Sequence, residues 1–236
     1  MATRYGDTPF IVRGGQEDYK NIFYTSPNEA LTKEVTLIPG CGVVKAGTAL
    51  AKITGDGPSK NKYVPYNPTT ISNADTVDEQ KGRAFLVADA ETGASVVYVT
   101  IEDSYKFQVG DQIYIADDDT KTSSSEDLGV ITAIDRSTYR HMAKITATNN
   151  ISGTVTVAKY ASIFHEAGAD NSNTWSDSVG ILATTVDTGE GEHAQGAVAD
   201  MVISNAMLYN GMLTNVDAAA RTDLGATVDG QFLILK

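Results

Sequence analysis

One cysteine, one tryptophan and six prolines are all that the 236 residues hold of the types that most constrain a chain. A single thiol cannot build an intrachain disulfide framework, so Cys41, set in the turn-like "IPGCGVV", reads as a small, buried, reduced side chain of a protein assembled in the cytoplasm. Its surroundings contain no recognisable setting for a reactive thiolate. Long apolar runs are missing too. No stretch approaches the roughly 20 residues a membrane span needs, and no basic leader precedes an apolar run, so the expectation is a soluble, unprocessed protein. Clustered positive charge is also lacking: 18 Lys and Arg stand against 30 Asp and Glu, a net charge of −12. Phosphate backbones and anionic lipid surfaces are bound by grouped cations, so neither nucleic acid nor membrane is an expected partner.

Recognisable chemistry is equally sparse. His141, His165 and His193 are too scattered for ligand spacing, and "FHEAG" and "EGEHAQG" lack the paired histidines of a zinc hydrolase helix. "IADDDTKTSSSED" places Asp117, Asp118 and Asp119 together but has neither the alternation, central glycine nor terminal glutamate of a calcium loop. "GDGPSKNK" sets Gly55 and Gly57 near Lys60 and Lys62 without the lysine-serine/threonine ending of a phosphate loop. No pair of carboxylates suggests a glycan hydrolase. The expectation is a non-enzymatic protein with no catalytic residues, no metal site and no cofactor.

What the chain does have is β pattern. With 42% hydrophobic residues, 20% charged and 21 glycines, it has the composition of a folded protein. Residues 1–33 mix aromatic and polar types without periodicity and read as an extended arm. From Val35 to Ile53, short apolar runs punctuated by Pro39-Gly40, Gly42 and Gly47 predict short strands and tight turns. "GDGPSKNKYVPYNPTT" reads as a loop or at most an edge strand, because proline cannot donate to a ladder. Between Lys81 and Phe164 lie six β-like runs, "AFLVADA", "SVVYVTI", "DQIYIAD", "LGVITAID", "HMAKITAT" and "GTVTVA". Recurring about every ten residues, they predict a small barrel or sandwich. Within it Gly110-Asp111 is a turn, and Val109, Ile113 and Ile115 are expected to be buried on alternate positions. Apolar runs resume at 179–183, 198–203 and 232–235. Only "NVDAAARTDLGA" looks helical, with Asp217 as N-cap and Gly225 as the stop.

With residues 80–166 set aside, the remainder contains "VKAGTALAKIT", "KYVPYNP", "SVGILATTVD" and "GAVADMVISNAML", in that order. This resembles the lambda-like head decoration proteins of tailed phages, over roughly half the chain. A simple family member passes almost directly from the "YNP" loop to "VGIL", so 80–166 departs from the pattern as a β domain inserted in a loop, which costs little closure entropy. The resemblance implies a mainly β fold: a β-tulip-like decoration module formed by 34–79 and 167–236, preceded by the arm at 1–33. It implies a cement protein, a homotrimer on the virion exterior at local threefold axes, with the major capsid protein as partner. The family's arm implies capsid contact through Arg4, Tyr5, Pro9, Phe10, Ile11 and Val12; the last four read equally as a first strand packed on the protein's own core. Trp175 suits a domain seam or a trimer contact. Met207, Leu208 and Tyr209, in "ADMVISNAMLYNGML" with Met201 and Met212, suit a trimer interface or the core.

The acidity is shared. Residues 82–165 hold 7 basic and 11 acidic side chains, a balance of −4, and the rest 11 and 19, or −8. An alternative reading makes the insert an adhesion module binding glycans, with Tyr98, Tyr105, Phe107, Tyr114 and Tyr139 as stacking candidates.

Overall fold

The computed structural model describes residues 21–24, 30–67, 81–118, 125–166, 177–226 and 232–235. Trp175 and the six arm residues Arg4, Tyr5, Pro9, Phe10, Ile11 and Val12 lie outside them. The first part of the chain forms β1 (Leu31–Leu37), β2 (Val43–Val44), β3 (Ala49–Lys52) and β4 (Tyr63–Pro65). Next come β5 (Arg83–Phe85), β6 (Val96–Thr100), α1 (Ile101–Ser104), β7 (Gln112–Ala116), β8 (Ser125–Asp135), β9 (Met142–Ala147) and β10 (Ser162–His165). The last part supplies β11 (Ser178–Leu182), β12 (Val186–Asp187), β13 (Ala197–Ser204), β14 (Ala206–Tyr209), α2 (Ala218–Ala226) and β15 (Phe232–Leu235).

Strands from both ends of the chain close one barrel, in the order β1-β13-β11-β3-β4. Its antiparallel ladders set Glu34 opposite Asp200, Ile181 opposite Ala49 and Leu50 opposite Pro65. The circuit closes where β4 meets β1 in parallel, Leu37 beside Tyr63, with the Ile38 amide donating to the Tyr63 carbonyl at 2.9 Å. Alternation explains which side chains fill it: Val35 and Leu37 of β1 point inward with Leu50, Leu182 and Met201, while Glu34 and Thr36 face out. Each aliphatic side chain removed from water in this way stabilises by about 1.5–3 kcal/mol. The stretch expected to be a loop or edge strand is therefore a barrel strand, and the missing Pro65 donor is tolerated because Pro65 is the last residue of β4.

The intervening residues form a separate six-stranded sheet, β5-β10-β7-β8-β9-β6, whose ladders all join residues between Arg83 and His165. A single bridge, Leu86 to Val99, brings its two edge strands together. Val97, Val99, Ile113, Ile115, Ile145 and Ile163 make the aliphatic interior. Five of the six expected runs are strands here; "GTVTVA" is not. Val155 makes one bridge to Ala90, Val157–Lys159 turn as a 3-10 helix, and Tyr160 adopts a left-handed φ of 61°. β-propensity measures fit to a pleated, half-buried surface, and the neighbour it needs is offered instead to β10, "SIFH". Val109 is 54% exposed, because the turn at Gly110 (φ 100°) breaks the alternation that buries Ile113 and Ile115.

Among the described residues two α-helices are present where one was expected. The additional one, α1, is a single turn started by Thr100, whose hydroxyl accepts the Asp103 amide at 3.0 Å. In α2 Asp217 is the N-cap, its carboxylate accepting the Ala220 amide at 2.8 Å, while Gly225 lies inside the last turn rather than beyond it. At the other end of the chain, β1 already begins at Leu31, within the segment read as an arm, and Ile22 is fully buried against Ala46, Val202 and Leu208.

Candidate interaction face and the barrel–insert seam

A two-stranded sheet, β14-β15, sits against the barrel. β14 pairs in parallel with β15, Ala206 beside Phe232 through Tyr209 beside Leu235. On its other side β14 takes the segment 22–24: Phe23 bridges Leu208, the Tyr24 amide donates to the Met207 carbonyl at 2.9 Å, and the Tyr209 amide donates to the Ile22 carbonyl at 3.0 Å. Period-two alternation then splits β14 into two faces. Ala206 and Leu208 are buried, whereas Met207 is half-buried and Tyr209 is 40% exposed. Leu208, a candidate trimer contact, is thus a core residue packed with Ile22, Val202 and Leu224.

Met207 and Tyr209 remain on the accessible side, where Tyr24 joins them. Tyr24, 56% exposed, meets Tyr209 edge to face with ring centroids 5.5 Å apart, a preferred aromatic geometry. Met212, 43% exposed, lies in the turn Asn210–Met212, whose Asn210 carbonyl oxygen side chain accepts from Arg221 of α2. Tyr24 was missed from sequence because 22–24 meets β14 through one isolated bridge, a pairing too short to show as a period in the sequence. The signal was its neighbour Ile22, which must be buried if Phe23 and Tyr24 pair with β14.

The seam between barrel and insert is polar and tightly bonded. Asp111, 1% exposed, accepts from the Ser59 amide, the Ser59 hydroxyl and the Gln108 amide, each at 2.9 Å. The Gln112 amide donates to the Asp56 carbonyl at 2.8 Å and the Thr54 amide to the Glu166 carbonyl at 3.0 Å. Gly57, at φ 125°, lies so close to Gly110 and Asp111 that a Cβ would collide with their backbone. His165 is buried beside this cluster, stacked on Phe107 at 4.8 Å, with Nε2 3.0 Å from the Lys106 carbonyl and Nδ1 4.0 Å from Asp111. Burial pulls its pKa below the ordinary histidine value, opposed by the Asp111 charge. Partial burial pushes the Glu166 carboxyl upward.

His141 and His193 are exposed and stand apart from His165, and among the described residues no group of three His, Cys, Asp or Glu could hold a metal ion. Cys41 is 2% exposed, its thiol donating to the Lys81 carbonyl at 3.4 Å, and desolvation pushes its pKa up to about 11. A thiol so placed is a poor nucleophile at neutral pH. Of the insert's aromatics, Phe107 is buried in the core and Tyr114 stacks on Phe164 at 6.5 Å. Tyr98 and Tyr139 form an edge-to-face pair at 5.5 Å, and Tyr105 carries Arg136 over its ring at 4.4 Å.

The fold and this face define a mainly β protein: a barrel closed by strands from both ends of the chain, carrying an intervening half-barrel sheet and an aromatic-methionine patch beside the 22–24 segment. No protein-family model matches the chain, and no curated protein is significantly similar to it. Among the described residues, no helix is long and apolar enough to cross a membrane.

Proposed function

We propose that the protein is a capsid decoration protein of a tailed phage, a cement that binds the outside of the expanded head as a trimer at local threefold axes. The observation that carries this reading is the adjacency of the four resembling motifs. "VKAGTALAKIT" contains β3, "KYVPYNP" contains β4, "SVGILATTVD" opens with β11, and "GAVADMVISNAML" contains β13. These strands are consecutive neighbours in one barrel, β13-β11-β3-β4, despite the long stretch between the second and third motifs. In this reading the barrel is the tulip-like module of the family, and the insert is displayed outward.

The mechanism follows from linkage. A protein that binds the expanded lattice and not its precursor stabilises the former by its differential affinity, and many copies multiply the effect. Three copies joined through Tyr24, Met207, Tyr209 and Met212 turn the second and third lattice contacts into intramolecular events, so modest single interfaces hold the shell against internal DNA pressure. Residues 1–20 lead into the 22–24 segment beside this patch and supply the strand-adding arm toward the major capsid protein. A net charge of −12 suits a protein that must not bind packaged DNA.

Purified protein added to expanded, undecorated shells of its phage should appear as threefold density and raise the temperature of shell disruption. Removing residues 1–20 should weaken binding at least tenfold, about 1.4 kcal/mol. Unchanged affinity would move the anchor elsewhere, and absence of threefold density would end the reading. A second reading, adhesion to host or environmental glycans through the insert, is favoured by the half-exposed Tyr98–Tyr139 pair. A glycan array probed with the full protein tests it, with Tyr139→Ala abolishing any signal.

A further inference from the structure

The barrel circuit closes through a narrow contact. Strand β1 pairs with β13 along its whole length, Leu31–Leu37, but on its other side it meets β4 only at Leu37, opposite Tyr63. Among the described residues nothing pairs with that other side over 31–36, and Leu31, Thr32, Lys33, Glu34 and Thr36 are exposed. Alternate residues of an antiparallel strand turn their amides and carbonyls to opposite sides, so roughly half of these backbone groups point away from β13. An uncovered row of this kind is a template for another strand.

Its charges select the strand. On the outer face Glu34 stands directly opposite Asp200, both exposed, and like charges facing each other across a ladder are destabilising. Neither carboxylate has an ion pair among the described residues. Lys33 does not supply one: alternation sends it to the opposite face, where its Nζ donates to the Tyr63 hydroxyl at 3.3 Å and lies 5.9 Å from the ring centre. A strand added beyond β1 places one residue beside Glu34 on the outer face, and a lysine or arginine there offsets the repulsion from Asp200. A second copy of this chain is a poor occupant. In the two registers that pair 31–36 most fully, an antiparallel β1 from another copy sets Lys33 against Lys33 or Glu34 against Glu34, the kind of repulsion by which edge strands avoid joining one another. We infer that the free edge of β1 is a docking site for an extended, basic segment of another protein, which adds to the barrel as a further strand with a lysine or arginine beside Glu34. In the decoration reading, on which this rests, that segment belongs to a capsid subunit and makes a contact separate from the one assigned to residues 1–20.

The test uses the full protein and expanded, undecorated shells. Glu34→Lys should weaken shell binding about tenfold, because it sets like charge against the basic segment. The same variant should raise the urea midpoint of the free protein, since the opposition to Asp200 is gone. Glu91→Lys makes the same change of charge at an exposed position of the insert and should bind as the parent does. In the parent, hydrogen exchange should slow across 31–36 on shell binding, as the edge amides gain acceptors. Glu34→Lys binding as well as the parent, equal weakening by Glu91→Lys, or exchange unchanged across 31–36 would each overturn the inference while leaving the decoration reading intact. Shells that take up no protein at all would end that reading, and the docking site with it.

Discussion

In the barrel, Leu31 lies opposite Ser204 and Ile181 opposite Ala49, so its ladders join residues on either side of a long intervening stretch; in the insert, every ladder stays between Arg83 and His165. Both regions bury aliphatic cores of similar chemistry, Leu50 and Leu182 in one, Ile113 and Ile145 in the other. The difference is one of chain entropy. Closing the barrel requires distant segments to meet, and a folded insert whose ends already lie together shortens the loop that must be closed. Gly82 packs against the Pro65 carbonyl, and Glu166 accepts the Thr54 amide, so both ends of the insert sit on the strand and turn that precede it. What looks like an interruption is in this sense a clasp.

The largest expected effects break the comparison at its two cores. Leu50→Ala and Ile145→Ala should each cost about 3 kcal/mol, from lost transfer energy and the cavity left behind. Hydrogen exchange should show Leu50→Ala loosening barrel amides while the insert stays protected, whereas Ile145→Ala loosens both, since the barrel depends on a closed insert. Equal loosening of the insert by both variants would mean one cooperative unit and dissolve the distinction. A smaller effect should come from the seam. Asp111→Asn replaces one acceptor oxygen by a donor facing the Ser59 hydroxyl and Gln108 amide, and should cost about 2 kcal/mol in urea unfolding. If it does not, the two regions are held together by packing alone.

The smallest effect is a pH dependence. His165 is held neutral by burial, faced by Asp111 from the turn before β7 and by Lys62 from the barrel side. The unfolded chain takes up its proton near pH 6.5, about the ordinary value, while the folded chain does so only at lower pH. The stability due to a neutral His165 is thus fully present above that value and declines as pH falls toward the folded pKa. Urea midpoints measured at about pH 7.5 and about pH 5.5 should show this decline, and His165→Gln should reduce it. A midpoint unmoved by acid would show that Asp111 compensates the burial.

How much of this was readable in the chain varies with the range of the interactions. Ile113 and Ile115 were legible as core, because strict alternation within one strand is a local pattern. The Asp217 cap was legible for the same reason, since capping involves only the next three residues. Val109 was misread where a left-handed glycine interrupts the alternation, and "GTVTVA" where the better neighbour to β5 and β7 was a different segment. Leu208 and Tyr209 were indistinguishable in sequence, being apolar neighbours in one run. Only the pairing of β14 with the 22–24 segment decides which of them faces solvent.

By itself the amino-acid order determined that this is a mainly β protein, where its middle sheet lies, and which motifs flank it, because those follow from periodicity and turn chemistry over a few residues. Tertiary structure alone decided that β4 is a barrel strand, that Asp111 and Ser59 lock the seam, and that Tyr24 meets Tyr209. The reason is physical: partners far apart in the chain are selected by closure and burial, and no local preference encodes which of several suitable strands will be the neighbour.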